Sequence, residues 1–194
     1  LYEEQGYICA YCERRIPVYD EERNCDHVVE HILPKSEHPE LVLAYGNLAM
    51  CCPGRVGENA KYTRRNRHAH CDAKKDNRVL RFSLDDPSFY ASLSFTSTGE
   101  VRSSNEVWDD DLNRVLNLNH SLLCQHRRRA WLGVVAQLYA IKRENGSMDM
   151  RSSIERLLAS WESRHCEEIG GEEVLAYRAF CSMVVYMLRG LLGD

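Results

Sequence analysis

Asp26-His27-Val28-Val29-Glu30-His31-Ile32-Leu33-Pro34 is the stretch on which the reading of this chain depends. Acids and imidazoles interleave with β-branched and aliphatic residues, and a proline closes the run, which predicts a short strand. On a strand Glu30 and His31 face opposite sides. One carboxylate can then serve a cation while one imidazole serves a substrate, provided a bend or bulge reorients them. Working outward, Cys9-Ala10-Tyr11-Cys12 lies upstream, and Cys51-Cys52 and His70-Cys71-Asp72-Ala73-Lys74-Lys75 lie downstream. The C-x-x-C pair puts two thiolates on a tight knuckle suited to tetrahedral zinc. Closing such a site takes two more thiolates. Adjacent cysteines point apart, so the expectation is one of Cys51 and Cys52 together with Cys71. Four protein ligands leave no open position, so the site would be structural.

The 194 residues are 44% hydrophobic and 28% charged, the balance of a globular chain. A net charge of −4 excludes a uniformly basic coat for nucleic acid, though not a local patch. No run approaches the roughly 18 consecutive apolar residues of a membrane span. Leu1-Tyr2-Glu3-Glu4-Gln5 is polar and acidic, unlike a signal peptide. A cytoplasmic protein without membrane contact is expected. Nine cysteines, an odd count, argue against a purely disulfide framework. Cys25, Cys124, Cys166 and Cys181 are expected to be buried thiols, with whichever of Cys51 and Cys52 the zinc leaves out.

Texture divides the chain. Residues 1–84 read as a compact metal-stapled module, and residues 85–194 as a hairpin plus helical scaffold that could dock a partner. The hairpin runs from the strand formers Phe89 to Thr96, through Thr98-Gly99-Glu100, to a return at Val101. Asp109-Asp110-Asp111 is placed to open a helix. A long amphipathic helix over 122–141 follows, then helices over Met150–His165 and Glu172–Leu192, parted by Gly170-Gly171. Between the halves of the cysteine set lies a basic insertion. Residues 53–81 carry Arg55, Lys61, Arg64, Arg65, Arg67, Lys74, Lys75, Arg78 and Arg81 against three acids. That predicts a loop tracking phosphates. Arg127-Arg128-Arg129 is expected on a solvated helix face.

These motifs resemble the HNH nucleases of the His-Me finger (ββα-metal) group, in their zinc-bearing branch. The likeness rests on Cys9/Cys12, Glu30-His31-Ile32-Leu33-Pro34, Asn47-Leu48 with a cysteine five residues after the Asn, and Cys71-Asp72-Ala73-Lys74-Lys75. That spacing favours Cys52 over Cys51 as the third zinc ligand. Cys9-Ala10-Tyr11-Cys12-Glu13, Pro34-Lys35-Ser36, Tyr45-Gly46-Asn47-Leu48 and Leu116-Asn117-Leu118-Asn119 further resemble the retron- and Septu-type (PtuB-like) anti-phage HNH proteins, which work beside an ATPase. The core likeness covers about residues 7–80 and the looser one runs to about 130.

The resemblance implies an α+β fold: a zinc-stapled ββα-metal module, a short hairpin and a mainly helical C-terminal part. It implies structural Zn²⁺ on Cys9, Cys12, Cys52 and Cys71, and catalytic Mg²⁺ or Mn²⁺ on Glu30 and Asp72. His31 would be the general base, and Asn47 would hold the loop that carries it. Asp72 stands where the family has His or Asn, with His70 and Asn77 as alternatives. The implied function is phosphodiester hydrolysis in nucleic acid, DNA by default and RNA as a further substrate, with an ATPase partner. The competing reading is a non-catalytic zinc module that binds nucleic acid or protein. Such a module has no use for Glu30-His31 facing Asp72.

Overall fold

The computed structural model describes residues 1–16, 27–54, 69–145 and 150–193. Cys25, Asp26, Arg55, Lys61, Arg64, Arg65 and Arg67 lie outside the described residues. The fold mixes helices with small antiparallel sheets. Val28–His31 forms β1 and pairs with β2, Leu48–Cys51, so that Glu30 faces Ala49 and His31 faces Leu48. A short helix α1, Asp72–Lys75, follows the last of the four cysteines.

The next segment departs from the expected strand over Phe89–Thr96. Pro87–Ala91 is a helix, α2, because Asp86 caps it by accepting from Ser88 N and Pro87 takes a first-turn position. Only Leu93–Phe95 is strand (β3), paired with β4, Val101–Ser103. Asp109-Asp110-Asp111 does not open a helix either. Asn105 caps α3, Glu106–Asp110, through bonds from Val107 N and Trp108 N, and a π-turn over Asp111–Val115 continues it. The acids end that helix because their charge is taken up elsewhere. Buried Asp111 accepts from Arg81 N, Nε and Nη2 at 2.6–3.0 Å, and Asp110 from Arg81 Nη2 at 2.8 Å.

The helices α4, Ser121–Asn145, and α5, Met150–Glu162, match the amphipathic pattern. The expected helix over Glu172–Leu192 is corrected. His165–Ile169 (β5) and Glu172–Ala176 (β6) form a hairpin, and only Cys181–Leu192 is helix (α6). Gly170 and Gly171 both take positive φ, +65° and +87°, and make the tight turn that the twist of two strands prefers. Two further corrections concern single residues. Cys166 is exposed on β5, not a core thiol. Arg127 is buried on α4, donating to Gly99 O and Leu118 O.

The main core joins Cys9, Cys12, Cys51, Cys52 and Cys71 to Leu112, Leu116 and Leu123, so cysteine module and central helices share one interior. A second cluster, Trp131, Val134, Leu138, Ile154, Met183, Val184 and Leu188, packs α4, α5 and α6 together. Among the described residues, no helix is long and apolar enough to cross a membrane.

Candidate metal centres and active site

The four cysteines meet in the buried core. The Sγ atoms of Cys9, Cys12, Cys52 and Cys71 all lie within 4.8 Å of one another, with Cys12–Cys52 at 3.7 Å and Cys9–Cys71 at 4.0 Å. Sulfurs on zinc at about 2.3 Å stand about 3.8 Å apart in a tetrahedron, so the spacing fits zinc. The backbone builds this set from three sides. Ala10 N donates to Met50 O and fastens the knuckle to β2. Cys71 N donates to Leu116 O and Asn117 Nδ2 to Ala69 O, which pins the Cys71 loop to the central helices. Gly54 closes the loop at φ +62°, where a Cβ would stand 1.9 Å from His70 O. Burial pushes Cys71 well above the ordinary thiol range. Four thiols this close cannot all ionise without a cation between them, and a divalent metal would supply that charge.

A second cluster forms where α1 meets β1. Glu30 points into the protein and is buried. Its Oε1 takes a 2.7 Å bond from Lys75 Nζ and a 3.0 Å bond from the Tyr11 hydroxyl. Asp72, one helical turn before Lys75, lies against Glu30. Burial, then Glu30, pushes the Asp72 carboxyl up to about 8. Two carboxylates converging beside one lysine are short of positive charge, and oxygen donors of this kind fit Mg²⁺ or Mn²⁺.

His31 leaves β1 on the other side, half-buried, with Nε2 3.0 Å from Val42 O. A carbonyl only accepts, so Nε2 carries the proton and Nδ1 keeps the lone pair of a neutral imidazole. Asn47, buried just before β2, accepts from Leu33 N at 2.7 Å and donates to Leu33 O and Leu41 O. It therefore ties down both ends of the loop that holds Val42 against His31.

No family model matches the chain. Over 100 residues it is 33% identical to the "Retron Vc95 putative HNH endonuclease" of Vibrio cholerae serotype O1 biovar El Tor. The match takes in 50% of this chain and 42% of that relative, so the chain spans less than half the relative's length. At this modest identity the likeness supports an HNH nuclease family, and the relative's name points to a nuclease.

The remaining expected site residues divide. Lys74 stays partly exposed on α1. Lys75 is fully buried on Glu30 and also donates to His31 O at 3.2 Å. Burial is possible because the Glu30 carboxylate neutralises it. The Arg78 guanidinium is spent on backbone, donating to the carbonyls of Lys74, Lys75, Arg114 and Val115. His70, offered as an alternative divalent ligand, turns Nδ1 to Cys71 Sγ at 3.2 Å and Cys52 Sγ at 4.0 Å. Burial lowers its pKa to about 4, which keeps it neutral beside the sulfurs. Asn77 follows α1 on the exposed side. Tyr11 and the buried role of Lys75 were missed from sequence. The only signal was position: Tyr11 inside C-x-x-C, and Lys75 three residues after Asp72 on a helix.

Proposed function

We propose that this chain is a metal-dependent HNH endonuclease that hydrolyses phosphodiester bonds of nucleic acid, with DNA as the default substrate. The observation that carries the reading is the convergence of Glu30 and Asp72 beside a strand whose next residue, His31, holds Nε2 on Val42 O and so keeps Nδ1 as its basic nitrogen. A divalent cation on the two carboxylates would stabilise charge on the phosphate and on the leaving 3′ oxygen. His31 takes a proton from water at Nδ1, as suits an imidazole near neutral pH. Val42 O orients its ring, and Asn47 holds the loop that supplies Val42. Lys74, with the basic residues of 55–67, contacts the backbone of the substrate. The closed cysteine site holds structural zinc and takes no part in the chemistry.

We further propose that the chain is the effector subunit of a retron- or Septu-type anti-phage complex controlled by an ATPase. Support comes from the retron relative. A second reading, a non-catalytic zinc module, has one observation in its favour: Glu30 is 4% exposed and ion-paired, as in a purely structural pair. The deciding experiment is cleavage of plasmid and RNA with Mg²⁺ or Mn²⁺, wild type against His31→Ala, with and without the ATPase. Cleavage lost in His31→Ala at unchanged zinc content is the expected result. Zinc and ATPase binding with no cleavage in any mixture would favour the module.

A further inference from the structure

Tyr11 ties the two metal centres together. It sits inside the zinc knuckle, immediately before Cys12, with its backbone fixed between two cysteines and its side chain buried. Its hydroxyl crosses to the other cluster and donates to Glu30 Oε1 at 3.0 Å. Lys75 Nζ donates to the same oxygen at 2.7 Å. Both donors thus converge on Oε1. An ammonium on a four-carbon arm can follow a carboxylate as it rotates. A phenol on a rigid ring, anchored by the knuckle, cannot.

We propose that Tyr11 is a positioning residue for the divalent-cation site. Through its hydroxyl the cysteine knuckle sets the rotation of the Glu30 carboxylate for the cation beside Asp72. The two metal sites are therefore energetically coupled. The inference rests on the carboxylate-site reading under Proposed function.

The test is Mn²⁺ titration of the full zinc-loaded chain, followed by the electron paramagnetic resonance of free Mn²⁺. The samples are wild type, Tyr11→Phe, and the Glu30→Gln/Asp72→Asn double variant. Zinc content and melting temperature are measured on each. Tyr11→Phe is expected to keep its zinc and stay folded, to melt a few degrees lower for the loss of one hydrogen bond to a charged group, and to bind Mn²⁺ roughly tenfold more weakly. A residue that merely filled space would not move that affinity. Wild-type affinity in Tyr11→Phe would overturn the inference and leave the carboxylate site standing. No Mn²⁺ binding by wild type beyond that of the double variant would overturn both.

A second measurement needs no variant. Coupling is reciprocal, so saturating Mn²⁺ should make zinc harder to remove from the wild-type chain by a competing chelator. Identical zinc competition curves with and without Mn²⁺ would refute the coupling.

Discussion

Lys75 shows how one residue's meaning depends on what it meets. In sequence it is one of nine basic residues in a positively charged stretch; in the fold it is the buried counter-ion of Glu30. A lysine is kept in such a place only by a carboxylate and further acceptors, here Glu30 Oε1 and His31 O. Removing it alone leaves Glu30 buried without its cation. Lys75→Met is therefore expected to cost about 3–5 kcal/mol in urea unfolding. The double variant Glu30→Gln/Lys75→Met should lose less than the sum of the two single losses. Additive losses would mean the pair is not the unit the geometry describes. By contrast, the meeting of Cys9, Cys12, Cys52 and Cys71 could be anticipated, because few arrangements of four closely spaced thiols are stable except around a metal.

At the scale of elements, local chemistry decided more than charge patterning. Asp109-Asp110-Asp111 carries the acids that suit a helix start, yet Asn105 makes the cap and the acids go to Arg81 and the helix end. Asn105→Ala is accordingly expected to destabilise the chain by about 1 kcal/mol, the usual cost of a lost cap. A chemical-denaturation midpoint checks it, and no shift would show that the cap contributes nothing here. The segment after α5 teaches the same lesson. Gly170-Gly171 was legible as a break, but a break between helices and a two-residue hairpin turn look alike until strands on either side find each other. Cys166 and Leu175 pair across that hairpin, and both are exposed. Their apolar character carried no information about the core.

For the whole molecule, the two core clusters set what should respond to metal. The cysteine set shares its interior with Leu112, Leu116 and Leu123, whereas α5 and α6 pack with the far part of α4 around Met183 and Leu188. Complete zinc removal should strip amide-exchange protection from β1, β2, α1 and the π-turn after α3, and leave α5 and α6 protected. Hydrogen-exchange mass spectrometry of chelated and zinc-loaded chain would show it. An unchanged pattern after complete removal would end the structural role given to the cysteines.

What the sequence determined by itself was chemistry written at short range: the C-x-x-C knuckle, the Glu30-His31 dipeptide on a strand, and the amphipathic repeat of α4 and α5. These follow from residue type and spacing alone, because side-chain direction on a strand or helix is set locally. Only the tertiary structure decided which groups meet. It brought Asp72 and Lys75 to Glu30 from a helix more than forty residues away, turned His70 toward the sulfurs, and carried the Tyr11 hydroxyl from one centre to the other. Those meetings depend on how the chain closes on itself, and burial then fixes which charges must pair.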